Sequence, residues 1–131
     1  MIGLDTNVLV RYLAQDDAIQ SSQATHIIEH RLTEEGPGFI SLVTIVETVW
    51  VLDRVYGLSS HEIAQAVERI LQADTLLVQN EQETFTAMTA LKTGAGSFSD
   101  ALIGALGAWA GCTATLTFDR KAKRLKHFRL L

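Results

Sequence analysis

Four carboxylates occupy positions that do not read as solvated surface. Asp5 closes the first apolar run, Met1–Leu4, and Glu47 interrupts residues 39–52, a stretch otherwise free of charge. Asp100 heads the apolar and small-residue run Ala101–Trp109, and Asp119 follows the β-rich run Thr113–Phe118. Gathered in one pocket, such groups repel. At ~4–6 Å and an effective dielectric of ~20, each pair would cost about 3–4 kcal/mol. A bound cation removes that penalty. No His or Cys motif accompanies the four acids, and all-oxygen ligation favours Mg2+ or Mn2+ over Zn2+. The chemistry open to such a site is polarisation of a phosphoryl oxygen and activation of a water.

The elements needed to bring the four together can be read from the chain. Met1–Leu4 predicts a strand, Val8–Leu13 a short helix, and Asp16-Asp17 the caps of a helix over roughly 18–33. Glu35-Gly36-Pro37-Gly38 is a turn, Phe39-Ile40 a strand, and Ser41 caps a helix across 42–55 that Gly57 stops. Ser59-x-x-Glu62 is a capping box opening a helix to about Ala73. A strand at 76–79, a helix at 81–92, a helix at 100–110 ended by Gly111, and a strand within 113–118 complete the pattern. Strands alternating with helices predict a three-layer α/β/α sandwich with a central, mainly parallel sheet. In such a sheet, strand C-termini and the helix N-termini that follow share one edge, where ligands bind. Asp5 and Asp119 fall at strand C-termini and Asp100 in a first helical turn. Glu47 lies roughly 9 Å into its helix, and its longer side chain, pointing back toward the helix N-terminus, is the carboxylate able to reach that edge.

The chain has 131 residues, 47% hydrophobic and 20% charged, which predicts a single globular domain over 1–131. A disordered chain, a membrane span and a secretory leader are not indicated, and a lone cysteine, Cys112, excludes an internal disulfide. A cytoplasmic protein is the simplest reading. The net charge of −4 conceals an asymmetry: all fifteen acids lie in residues 1–119, whereas six of the eleven Lys and Arg residues fall in 120–131. Cations directly after Asp119 (Arg120, Lys121, Lys123 and Arg124) either hold RNA phosphates or form a solvated helix face. Arg11, close to Asp5, is open to the same two readings, phosphate contact or a surface salt bridge.

The four acids and their surroundings resemble the PIN domain, specifically the VapC-type toxin nucleases. The matching segments are Leu4-Asp5-Thr6-Asn7-Val8-Leu9-Val10-Arg11-Tyr12-Leu13, Ser41-Leu42-Val43-Thr44 with Glu47, Asp100-Ala101-Leu102-Ile103 and Thr117-Phe118-Asp119. The resemblance implies a metal-dependent endoribonuclease in which Asp5, Glu47, Asp100 and Asp119 ligate one or two Mg2+ or Mn2+ ions. It further implies that Thr6, Asn7 and Thr117 orient those carboxylates, and that the chain forms a homodimer and meets a cognate antitoxin protein. Many relatives carry another acid three residues before the Asp100 position; this chain has Ser97 there, which removes a ligand of a second ion.

Other features carry less. His26 and His30 stand four apart but without a third ligand, and are read as solvent-facing or packing residues. Gly94-Ala95-Gly96 follows a helix rather than a strand, so it reads as a turn and not a phosphate loop. Trp50, Trp109 and Cys112 are expected in the core. Two other function classes fit less well. A phospho-receiver switch needs an acidic pair at Asp5 and an acceptor Asp after the third strand, neither of which is present. A PIN-like binding module without catalysis would not need four intact carboxylates. A D-x-D-x-T phosphatase fails at Asn7.

Overall fold

The computed structural model describes residues 1–131 as two compact units, Met1–Glu81 and Gln82–Leu131. In the first, strands β1 (Ile2–Gly3), β2 (Gly38–Ile40) and β3 (Leu76–Val78) form a sheet in the order β1-β2-β3. Both pairings are parallel, with Ile2 opposite Gly38 and Gly38 opposite Leu76. Parallel strands require crossover connections. These are helices α1 (Thr6–Ala14) and α2 (Ala18–His26) between β1 and β2, and α3 (Leu42–Arg54) and α4 (Ser60–Gln72) between β2 and β3. Gly38 is required by close approach: a Cβ there would meet the side chains of Leu4 and Leu32 at 2.8 Å.

Local chemistry sets the helix ends. Asp17 accepts from the backbone N–H groups of Ile19 and Gln20, and Ser59 and Glu62 form the reciprocal capping box expected from their spacing. Helix α4 buries Ile63, Ala64, Ala66, Val67 and Ile70, a stripe of helical period. Buried with them in this unit are Leu9, Ile28, Ile40, Ile45 and Leu52; each such side chain contributes ~1.5–3 kcal/mol. The helix expected to run to about residue 33 ends earlier and changes pitch: α2 passes into a π-helical turn, Ile27–Arg31, closed by Leu32 N–H donating to the Ile27 carbonyl. Ala24, Ile28 and Leu32 are all buried and stand four apart. That spacing drifts off an α-helical stripe, and the wider turn keeps all three inward.

The second unit contains α5 (which starts at Glu81 and runs to Thr93), α6 (Phe98–Trp109), β4 (Thr115–Thr117), a 3-10 turn (Ala122–Arg124) and β5 (Phe128–Leu130). Strands β4 and β5 pair in parallel, Thr115 opposite Phe128 and Thr117 opposite Leu130. Helix α6 starts two residues earlier than expected because Ser97 caps it, accepting from Asp100 N–H. It ends in a Schellman motif. Gly111, at φ +96°, donates to Ala108, and Cys112 N–H donates to the Gly107 carbonyl. The packing of α6 on the strands leaves no room at two glycines: a Cβ on Gly104 would meet the Phe128 ring at 2.8 Å, and one on Gly107 the Thr115 hydroxyl at 2.7 Å.

Several expectations are corrected here. Trp50 and Trp109 are not core residues but 57% and 66% exposed, and Ile103 is also exposed, so α6 is not apolar-buried on all sides. Cys112 is exposed because it follows the helix stop rather than facing α6's packed side. Residues 120–131 form no α-helix; the 3-10 turn and β5 replace it. The glycine loop behaves as read, with Gly94 at φ +77° turning the chain after α5.

Candidate active site

In the first unit the strand-to-helix junctions place Asp5 and Glu47 as the fold class requires. Asp5 follows β1 directly and is the N-cap of α1; its carboxylate accepts from the Thr6 N–H at 2.8 Å. Glu47 sits in the second turn of α3, whose N-cap, Ser41, follows β2. Its side chain reaches back out of that helix, and its Oε1 accepts a short hydrogen bond from the Thr6 hydroxyl. Thr6 is itself buried, so its hydroxyl needs a partner, and Glu47 is that partner. One threonine thus holds the two acids at one edge, its backbone on Asp5 and its side chain on Glu47. Asp5 and Glu47 are both exposed.

The second unit carries the other pair. Asp100 lies in the first turn of α6 and is half-buried. It does not cap the helix, as Ser97 does that; its carboxylate is therefore spared the capping role and stands at the positive end of the helix dipole. Asp119 is exposed in the turn after β4. Its N–H donates to Thr117 Oγ1 at 2.9 Å, and its Oδ1 accepts from Lys121 N–H at 2.8 Å. Thr117 and Asp119 therefore shape a turn that leaves Oδ2 outside the capping pattern.

The donor set fits a hard cation in its chemistry. Every group at these positions offers oxygen and none offers nitrogen or sulfur, the preference of Mg2+ and Mn2+. Within neither unit do three or more His, Cys, Asp or Glu side chains gather into a ligand group.

The remaining residues singled out from sequence have definite places. Asn7 is exposed on the first turn of α1. Arg11, one turn further on, lies in a network: Nη1 donates to Asp16 at 3.1 Å and to the Tyr56 hydroxyl at 3.3 Å, and Nε donates to Gln20 Oε1 at 2.8 Å. The Tyr56 hydroxyl donates to Asp16 at 2.7 Å, and that bond, with the Arg11 guanidinium, holds the Asp16 carboxyl below its ordinary value. Arg120, Lys121, Lys123 and Arg124 follow in the turn and the 3-10 segment; all four are exposed, and Ala122 among them is buried. His26 and His30 have ring centres 5.6 Å apart. The sequence reading missed Gln20 and Gln23. They share the i, i+3, i+4, i+7 face of α2 with Ala24 and of the following turn with Ile27, and that spacing was the available signal.

A family model for the PIN domain matches residues 2–127, which takes in both carboxylate pairs. The chain belongs to the PIN domain family. No curated protein matches it. PIN domains are nucleases, hydrolases of phosphodiester bonds that generally use divalent metal ions. The parallel pairing and alternating helices found here are the α/β fold of a PIN domain. No helix is long and apolar enough to cross a membrane.

Proposed function

We propose that this PIN domain is a metal-dependent endoribonuclease and the toxin of a type II toxin–antitoxin pair, with residues 1–131 acting as one domain. The observation that carries the reading is the bond from Thr6 to Glu47. It draws the only acid of an otherwise uncharged stretch back beside Asp5.

Asp5, Glu47, Asp100 and Asp119 would hold one or two Mg2+ or Mn2+ ions, directly or through water. The ion, when bound, supplies Lewis-acid polarisation of a phosphoryl oxygen and makes a water acidic enough to attack near neutral pH. Hydrolysis would add the water's oxygen to phosphorus as the bond to the ribose oxygen breaks in line with it, one proton leaving the water for solvent and one from solvent reaching the departing oxygen. Thr6 orients Glu47, Asn7 stands beside the pair, and Thr117 fixes the turn that presents Asp119. Asp100 stands at the positive end of the α6 dipole, where negative charge is well placed. Arg120, Lys121, Lys123 and Arg124 follow Asp119 and offset the acidic remainder of the chain by holding RNA phosphates; Arg11, its charge balanced by Asp16, takes the salt-bridge reading and holds no phosphate. The VapC resemblance adds a homodimer and a cognate antitoxin that covers the acidic site; the composition adds a cytoplasmic setting.

Incubation of the purified chain with RNA tests the proposal. Cleavage is expected with Mg2+ or Mn2+, is abolished by chelator, and is lost in Asp5→Asn and Glu47→Gln. Cleavage that persists after chelation, or in both variants, would overturn the mechanism. RNA binding without cleavage under every metal condition would leave a binding module instead.

A further inference from the structure

Between α1 and α2 lies a groove of about 280 Å3, confined to the first unit. Its aliphatic lining residues are Val8, Ala24 and Ile27, and its polar groups are the Asn7, Gln20 and Gln23 amides and the Arg11 guanidinium. Asn7 and Val8 belong to the turn of α1 that Asp5 caps, within ~5 Å of rise from that carboxylate. The volume lies just under the ~300–1,000 Å3 of ordinary small-ligand pockets, which suits one flat ring system.

The hydrogen bonds already present decide what the groove offers. Arg11 Nε–H donates to Gln20 Oε1, so that oxygen is committed and the Gln20 amide is fixed with its NH2 group as the free end. Asp16 and Tyr56 hold Arg11 Nη1, and Asp16 offsets the guanidinium charge. A charge already balanced is a poor site for a phosphate. A neutral ring with an acceptor edge meets aliphatic walls on its faces and N–H donors on its rim.

We infer that the groove receives a nucleobase of the RNA beside the cleaved phosphodiester, and that it selects guanine or uracil over adenine and cytosine. Guanine and uracil present a carbonyl oxygen at the position where adenine and cytosine present an amino group. The Gln20 NH2 and the Arg11 Nη2 can donate to that carbonyl; facing an amino group, they would be left donor against donor. The inference rests on the nuclease reading and names a determinant of its base preference.

The test uses the metal-free chain, labelled with 15N and titrated with the 5′-monophosphates of the four ribonucleosides. The side-chain amide signals of Gln20 and Gln23 are expected to shift with GMP and UMP at concentrations roughly fivefold or more below those needed for AMP and CMP. Gln20→Glu keeps the acceptor for Arg11 but removes the donor; it should unfold at the temperature of the parent protein and lose that preference. Equal binding of all four nucleotides, no shift at Gln20 and Gln23, or a preference unchanged in Gln20→Glu would overturn the inference. Neither metal nor cleavage enters the readout. Failure here leaves the nuclease proposal standing, and loss of that proposal through the carboxylate variants leaves the nucleotide binding to be judged alone.

Discussion

Thr6 is the residue on which the first half of the candidate site turns, since its N–H meets Asp5 and its buried hydroxyl meets Glu47. Thr6→Val keeps the shape and removes the donor, so Glu47 loses its orientation. Metal-dependent cleavage is expected to fall roughly 10–100-fold, the usual effect of losing a ligand's supporting hydrogen bond. An unchanged rate would separate Thr6 from the site. Asp5→Asn should abolish cleavage yet leave the α1 cap intact, because the amide oxygen still accepts from Thr6 N–H. Relief of repulsion among the acids then raises the metal-free unfolding temperature by roughly 2–4 °C. A fall instead would assign Asp5 to structure. At this scale the sequence was informative about Glu47, because a charge inside an uncharged stretch has few explanations. It placed Asp100 in a first helical turn, as found, but set the helix start two residues late, since Asp and Ser are both capping types and Ser97, three residues earlier, took the cap.

At the level of elements, helix positions followed from caps and periodicity. The capping box at Ser59 and Glu62 and the positive-φ glycines at 57, 94 and 111 mark their boundaries. Strand β5 was not legible: three residues are too few for an alternating pattern, and the surrounding lysines and arginines imitate a charged helix face. Nor was the exposure of Trp50 and Trp109, since residue type sets a preference for burial and neighbouring elements decide it. The Asp16 cluster ties helix ends together, linking Arg11 of α1 and Tyr56 after α3 to the α1–α2 junction. Because the folded-state pKa of Asp16 lies below its ordinary 3.8, the stability it lends is present above that value. It is lost as pH falls through the depressed pKa. Tyr56→Phe removes the largest cause of that depression, so the Asp16 titration should move upward when followed by carboxyl NMR. A titration that does not move would remove the tyrosine from the brace.

On the scale of the whole chain, charge and family fix the function class. An acidic body repels polyanions, and the six basic residues after Asp119 are what a phosphate backbone could engage. Neutralising Arg120, Lys121, Lys123 and Arg124 should weaken RNA binding and flatten the dependence of log K on log salt, by roughly 0.7 for each single-strand phosphate that is no longer neutralised. An unaltered slope would take these residues out of the interface. The parallel α/β fold was readable from alternating elements alone, whereas the nuclease assignment needed four acids in family order and the match over residues 2–127. Anomalous diffraction from a crystal soaked in Mn2+ directly tests the proposal that acids distant in the sequence share hard divalent ions. At least one manganese peak is predicted with oxygens of Asp5, Glu47, Asp100 and Asp119 within coordination reach, directly or through one water, and no peak in the Asp5→Asn crystal. Manganese bound elsewhere, or none bound while those four side chains are ordered, would contradict it.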